Sequence, residues 1–366
     1  MSGGSGIPTN QAFMMMMLTA GLTNHVMIIP VLIEISGRDA WITILVSAVL
    51  FLPCVLLIYG IIRKLGNRTI RQAIEESSGK GARALIMGMS SLYFITFGFY
   101  TLKEVIDWTK STYLLQTPVI ATSLILVLLC LVTARQGLRT VGISAGVLLP
   151  IVVLLGIFVS VANFKVKNYH YLTPILEHGF TPVLKGLPVM FGGLSQFILI
   201  LFLRPHLQKK PRFLTVLAIH AVLVLLTFGP TIGGIAEFGP EEMKLQRYPA
   251  YEQWRLVKLG KFVEHVDFLS IFQWLSGAYI SISLSIYLLC ETLLPPSKRS
   301  VGILAVSLLM IILCASPISN LKMYYVMADY FLPISSIYLT VLSILMFLLI
   351  RKQAHHSTPA KGERAS

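Results

Sequence analysis

Apolar residues along the chain are gathered into ten long runs, which short polar connections separate. A helix of about 20 apolar residues crosses the ~30 Å hydrocarbon core of a bilayer, and the runs approach or exceed this length. The pattern predicts an all-α polytopic membrane protein with one transmembrane domain, residues 1–350, and a polar tail, residues 351–366. The predicted helices, called spans 1 to 10 below, cover residues 11–33, 40–62, 84–108, 118–134, 140–163, 185–204, 212–235, 267–290, 300–316 and 328–350.

Composition leads to the same class. Hydrophobic residues make up 55% of the chain and charged residues 13%, whereas a soluble domain carries about 25% charged residues. A soluble enzyme, a nucleic-acid-binding domain and a disulfide scaffold are therefore excluded. The four cysteines lie inside apolar runs and lack the spacing of metal ligands, so we expect no metal site and no cofactor.

The basic residues predict how the chain is oriented. Of 30 Lys and Arg residues, 18 lie at the N terminus, at 63–83, 135–139, 205–211 with its flanking arginines and 291–299, and in the tail. The other five connections hold 12. Since cytoplasmic connections carry the excess of Lys and Arg, the first set and both termini are expected in the cytoplasm.

Spans 1 and 6 are interrupted near their middles by small and polar residues. Span 1 contains the run 19–25, TAGLTNH, and span 6 contains the run 188–196, PVMFGGLSQ. Two such spans, five apart, are typical of a five-plus-five inverted repeat (LeuT-like), in which the broken helices face a ligand site near the midplane. Close packing through small residues is the alternative interpretation.

Ionisable residues within the spans allow two interpretations each, because a charge at membrane depth is costly and often functional. Glu104 and Asp107 lie near the end of span 3 beside Lys103 and Lys110, and local pairing is the favoured explanation. His220 in span 7 is either a hydrogen-bonded core histidine or part of an ion route.

The longest connection, residues 236–266, mixes apolar, acidic and basic residues with two prolines. It predicts short amphipathic helices at the membrane interface, with Trp254 at the level of the headgroups. Such a segment serves equally well as a lid over the domain or as a surface for a partner.

Several segments resemble the GerAB family, the B subunits of bacterial spore germinant receptors, which are related to amino acid–polyamine–organocation transporters. The similar stretches are NYHYLTP at 168–174 with EHG at 177–179, LFL at 201–203 followed by His206 and Lys209–Lys210, and RYP at 247–249 followed by GKFVEHVD at 260–267 and Trp274. The resemblance covers essentially the whole chain.

What the resemblance implies is a subunit in the spore inner membrane. It would bind a small germinant, commonly an amino acid, between spans 1, 3, 6 and 8. Its partners would be the bilayer, a receptor A subunit and a lipoprotein C subunit, with no nucleic acid.

We expect the ligand to lie at the interruptions of spans 1 and 6, where freed N–H and carbonyl groups suit a carboxylate or an ammonium. Aromatic residues of span 3 and serines of span 8, each four residues apart, share one face and could complete the pocket. The predicted binding residues are Gly21, Thr23, Asn24, Tyr93, Phe97, Gly193, Ser195, Ser281 and Ser285. Packing by the aromatic rings and backbone bonding by the serines is the alternative.

Two functions are compatible with this fold, because function depends on the site and not on the scaffold. The chain is either a nutrient-sensing receptor subunit or a secondary transporter that moves an amino acid or amine with H⁺ or Na⁺. The resemblance favours sensing. An enzyme is not expected, since no convincing nucleophile and base are paired in the sequence and no catalytic residue is assigned.

Overall fold

The computed structural model describes residues 6–258 and 265–351. Within these ranges the regular elements are helices, and there is no β-strand. Nine stretches of this described part are long and apolar enough to cross a membrane. The fold class predicted from the sequence, an all-α polytopic membrane protein, is confirmed. Part of the 260–267 segment and nearly all of the tail fall outside the described residues.

The first of the nine stretches, Thr9–Leu65, makes two crossings. It has 57 residues, far more than the about 20 that one crossing needs. The residues that flank its two ends both bond the turn at 204–206, just after span 6. The Ile7 amide donates to the His206 carbonyl at 2.7 Å, and the Arg204 side chain donates to the Gly66 carbonyl at 2.6 Å. The chain therefore reverses between these ends, and the described residues contain ten spans.

Short irregular segments divide several of the spans. Their helical segments are: span 1, Thr9–Leu22, Thr23–Met27 and Ile28–Ser36; span 2, Ala40–Leu50 and Leu52–Leu65; span 3, Ile70–Thr112; span 4, Val119–Gln136; span 5, Leu138–Ala162; span 6, Thr181–Leu194, Ser195–Ile198 and Leu199–Leu203; span 7, Phe213–Phe238; span 8, Leu269–Leu293; span 9, Pro296–Cys314; and span 10, Asn320–Val326, Met327–Phe331 and Leu332–Leu349. Two further helices, Pro240–Leu245 and Pro249–Arg255, form the outer-loop helices between spans 7 and 8.

The helical segment that contains span 3 begins earlier than the apolar pattern predicts. Thr69 and Gln72 form a capping box, in which each side chain bonds the backbone N–H of the other residue. This cap starts a helix in a polar stretch without apolar periodicity. Gly79 then breaks the helical geometry with φ 85°, so the helix that precedes it lies in the basic connection at 63–83.

The two sets of connections lie on opposite faces of the bundle. Hydrogen bonds within the more basic set join Ile7 to His206, Arg68 to Arg351 and Arg135 to Ser300. In the other set Arg38 bonds Glu177, and Tyr113 bonds Asp267. We call these the basic face and the opposite face. Both ends of the described chain, residues 6 and 351, therefore lie at the basic face.

Spans 1 and 6 leave α-helical geometry at the places that the sequence predicts. The run Thr23–Met27 is a π-helical turn, and Ser195–Ile198 is a 3₁₀ turn. Neither span is unwound, because the helix continues on both sides of each turn. Span 10 has a second π-turn, Met327–Phe331, that the sequence analysis does not predict.

The adjacent glycines of span 6 allow two other spans to approach its backbone. A Cβ on Gly193 would meet Ile28 and would lie 2.5 Å from Asn24 Oδ1 in span 1. A Cβ on Gly192 would overlap the carbonyl oxygen of Leu332 in span 10. Close packing through small residues, the alternative interpretation above, therefore describes this pair of glycines well.

Gly192→Ala is expected to destabilise the protein, because its methyl group would meet backbone that cannot rotate away. Overpacking of this kind costs about 1–3 kcal/mol, so the melting temperature of the purified protein should fall by several degrees. Gly88→Ala is the matched control, since nothing lies within 4 Å of a Cβ at that helical position. Equal melting temperatures for the two variants would contradict the close contact.

Candidate functional site

A cluster of buried amide and hydroxyl groups joins spans 1, 6 and 7 at the π-turn of span 1. The Asn24 side chain donates to the Ala20 carbonyl at 2.8 Å and to the Gly193 carbonyl at 3.5 Å. Its Oδ1 accepts from Thr227 at 3.4 Å, and Gln196 donates to the Thr23 hydroxyl at 2.8 Å. Side chains of the protein itself therefore bond many of the polar groups that the sequence analysis expected to face a ligand.

The predicted residues of spans 3 and 8 pack within the bundle. The rings of Tyr93 and Phe97 stack with centroids 5.7 Å apart and planes 9° apart. The hydroxyl of Ser281 donates to the carbonyl of Gly277 at 2.7 Å. Ser285 is buried against Gly98 of span 3. These contacts fit packing and backbone bonding.

Ser195 lies apart from these residues. Its Oγ has no hydrogen-bond partner within the described residues and lines a small gap beside Phe51 and Thr340. The structure thus brings Thr23, Asn24 and Gly193 into one cluster and places the remaining predicted residues elsewhere.

A large cavity lies beside that cluster, between spans 1, 5, 7 and 8 and the second outer-loop helix. Its volume is about 560 Å³, within the range of about 300–1,000 Å³ that is usual for small-ligand sites. Gly21 is the one residue of the predicted set that lines it. The family resemblance implies a site between spans 1, 3, 6 and 8, and the cavity shares only spans 1 and 8 with that prediction.

Most of the cavity wall is apolar, with side chains such as Phe13, Met17, Val152, Val222 and Leu226. Apart from His25, the polar side chains of the wall lie towards the opposite face: Ser160, Lys167, Glu237, Tyr251, Gln253, Ser270 and Gln273, with the indoles of Trp254 and Trp274. The cavity therefore has an apolar body and one polar end.

Two opposite charges lie at the polar end. Lys167 Nζ is 3.5 Å from Glu237 Oε1, and the side chains are 6% and 1% exposed. Lys167 also donates to the carbonyl and hydroxyl of Ser160, at 3.0 and 3.3 Å. The side chains of Gln253 and Asn163 lie near the Glu237 carboxylate, but Oε2 accepts no well-formed hydrogen bond within the described part of the chain. A buried carboxylate is stabilised only when such bonds satisfy both of its oxygens.

His25 connects the cavity with the π-turn of span 1. It belongs to the turn, lines the cavity, and its Nδ1 lies 3.3 Å from the carbonyl oxygen of Leu226 in span 7. A bond to a carbonyl requires the proton on Nδ1, which leaves Nε2 of a neutral ring as an acceptor. A ligand in the cavity would touch the irregular turn directly.

Aromatic residues cover the polar end. The Trp254 indole donates to Gln273 Oε1 at 2.8 Å and packs against Phe158. Trp254 is 4% exposed and packs inward over the cavity, so it is not a freely exposed surface residue. Its position at the level of the headgroups stays a prediction. The short helices predicted for this connection are present.

The charged residues of span 3 are held by two different pairs. Lys103 bonds Asp107 at 2.9 Å, as local pairing predicts. Glu104 pairs instead with Arg247 of the outer loop, at 2.6 Å, and its side chain is 3% exposed. The Arg247 guanidinium also lies 4.5 Å from the ring centres of Tyr248 and Tyr324. Residues 143 positions apart in sequence cannot be paired from spacing alone.

His220 makes the contacts of a core histidine. Its Nε2 lies 3.0 Å from the Ala48 carbonyl oxygen, and its ring stacks on Phe51 with centroids 5.8 Å apart.

Arg247→Gln is expected to destabilise the protein, because it leaves the buried Glu104 carboxylate without its charged partner. Loss of one member of a buried pair costs about 3–5 kcal/mol, and thermal unfolding of the purified protein measures it. The double variant Arg247→Gln/Glu104→Gln should recover part of the loss. Arg255→Gln, which removes an arginine that is 59% exposed, should change the melting temperature little. Equal losses in Arg247→Gln and Arg255→Gln would contradict the buried pair.

Known sequences resemble this chain over most of its length. A family model described as "Spore germination protein" matches residues 6–322. Spore germination protein XB of Bacillus anthracis is 38% identical over 337 residues, 91% of this chain and 94% of that protein. Two proteins of Bacillus subtilis (strain 168), putative spore germination protein YfkT and spore germination protein KB, are 24% and 22% identical and align with 70% and 69% of this chain, covering 71% and 69% of their own lengths. The resemblance to the GerAB family is confirmed, and the chain belongs to the spore germination protein family.

Proposed function

We propose that this protein is the nutrient-sensing B subunit of a spore germinant receptor and that it binds a small germinant, an amino acid, in the cavity between spans 1, 5, 7 and 8. The observation that carries the proposal is the position of this cavity against the π-turn of span 1. Gly21 and His25 line it, and the turn also contacts span 6 through Asn24 and Gly193.

This position gives a ligand a way to change the conformation. A ligand shifts an equilibrium only by the difference between its affinities for two states. A bound molecule that touches the turn gains or loses contacts whenever the turn and span 6 rearrange. In this proposal Thr23, Asn24, Gly193 and Ser195 respond to the ligand, while the stacked rings of span 3 and the serines of span 8 support the bundle.

The proposal includes a cellular setting, which the family resemblance supports. The subunit lies in the spore inner membrane with its basic face in the cytoplasm, which agrees with the positive-inside rule. It acts with an A subunit and a lipoprotein C subunit, which pass the response on. Sensing differs from transport in that the ligand need not cross the membrane.

Purified protein in proteoliposomes is expected to bind a member of a labelled amino acid panel saturably, without accumulation under an H⁺ or Na⁺ gradient. The measurement is retained label with and without the gradient. Accumulation that collapses with the gradient would identify a secondary transporter.

Gly229→Leu is expected to weaken that binding at least tenfold, because Gly229 lines the cavity and nothing lies within 4 Å of a Cβ there. The side chain therefore fills space that the ligand needs without striking the protein. Gly88→Leu is the matched control, at an equally open glycine that does not line the cavity. Undiminished binding in Gly229→Leu would remove the cavity from the proposal.

A further inference from the structure

We infer that Glu237 and Lys167 form the head-group site of this cavity, binding the ammonium and the carboxylate of an α-amino acid whose side chain is apolar. The inference rests on the proposed function, since it names the class of ligand and the groups that recognise it.

The charge pair is incomplete as it stands. Its members are 3.5 Å apart and nearly fully buried. The side chains of Gln253 and Asn163 lie near the carboxylate, but within the described residues Glu237 Oε2 accepts no well-formed hydrogen bond. A buried ion pair is stabilising only when further hydrogen bonds satisfy its remaining donors and acceptors. An ammonium supplies donors to the carboxylate, and a carboxylate accepts from the lysine, so a zwitterion completes both halves.

The backbone leaves space beside the pair. A Cβ on Gly233 would lie 3.9 Å from both Glu237 Oε1 and Lys167 Nζ, and 3.1 Å from Gln253 Nε2. Glycine within a helix costs about 1 kcal/mol relative to alanine. A side chain at this position would lie against Gln253 and both charges, whereas glycine leaves Glu237 and Lys167 in the wall of the cavity.

The rest of the cavity wall determines which class of ligand side chain fits. Below the charges the lining consists largely of apolar groups, among them Val26, Leu149, Val152, Val222 and Leu226. His25 is the polar side chain in that part of the described wall, so a second charge carried by the ligand would be buried there with too few partners, which is unfavourable. Branched aliphatic and aromatic amino acids therefore fit, and acidic or basic ones do not.

A phospholipid with an ethanolamine head group carries the same pair of charges on an apolar body. The cavity wall includes exposed residues of spans 5 and 7, namely Val153, Ile157 and Leu225. The cavity thus reaches the surface between these spans, where acyl chains would lie. The experiment must therefore separate an amino acid from a lipid head group.

The test uses the full chain in nanodiscs of phosphatidylcholine and phosphatidylglycerol, with leucine and phenylalanine as probes. Two analogues of leucine accompany them: 4-methylpentanoate, which lacks the ammonium, and isopentylamine, which lacks the carboxylate. Wild-type protein should bind leucine at least tenfold more tightly than either analogue. Glu237→Gln should lose the preference for leucine over the acid, and Lys167→Gln the preference over the amine.

Each variant retains binding of one analogue, and this retained binding shows that it is folded. Glu241→Gln is the matched control, because it removes a carboxylate that also pairs with a lysine but lies on an outer-loop helix outside the cavity. It should leave leucine binding unchanged.

Three outcomes would overturn the inference, and they are distinguishable. If wild type binds leucine and both variants bind it equally well, the head-group site is wrong while the proposed function stands. If wild type binds no amino acid, both fail. If phosphatidylethanolamine added to the nanodiscs displaces leucine in proportion to its fraction, the pair belongs to a lipid.

Discussion

The constraint on which this structure depends is the bonding of backbone groups where helices are irregular inside a membrane. With no water in the hydrocarbon core, each freed N–H or carbonyl must find a partner in the protein. At the π-turn of span 1 the Asn24 amide adds bonds to two carbonyls that backbone N–H groups already reach, that of Ala20 in its own helix and that of Gly193 in span 6. Because Gly193 has no side chain, the two spans approach closely enough for that bond. The cavity lies beside this crossing.

Much of the architecture follows from the sequence because it depends on composition. The lengths of the apolar runs locate the spans, and the distribution of Lys and Arg divides the connections into two sets. In the structure, contacts such as Ile7 with His206 and Arg38 with Glu177 join residues within each set. The irregular turns of spans 1 and 6 are also visible, since glycine and amide residues are unusual at that depth. The capping box at Thr69 is not predicted, because it starts a helix outside any apolar run.

The cavity is harder to predict from the sequence, because its position depends on where neighbouring spans diverge. Lys167 and Glu237 belong to separate connections, and neither looks intramembrane in sequence, yet folding buries both against one cavity. Glu104 of span 3 and Arg247 of the outer loop likewise come together only when the chain folds. A signal was present in each case, namely an acidic residue at the end of an apolar run with no basic residue one helical turn away on the same helix. Pairing them required the three-dimensional structure.

The π-turns of spans 1 and 10 also have a consequence for the rotation of these helices about their own axes. A π-turn accommodates one residue more than an α-turn does, and one residue corresponds to about 100° of rotation around a helix axis. Gly193 packs against span 1 at its π-turn, and Gly192 packs against Leu332, the first residue after the π-turn of span 10. Span 6 thus packs between two helices that each contain one residue more than a regular α-helix would. A shift of that extra residue along either helix would rotate the segment that it passes, and a different set of side chains would then face span 6.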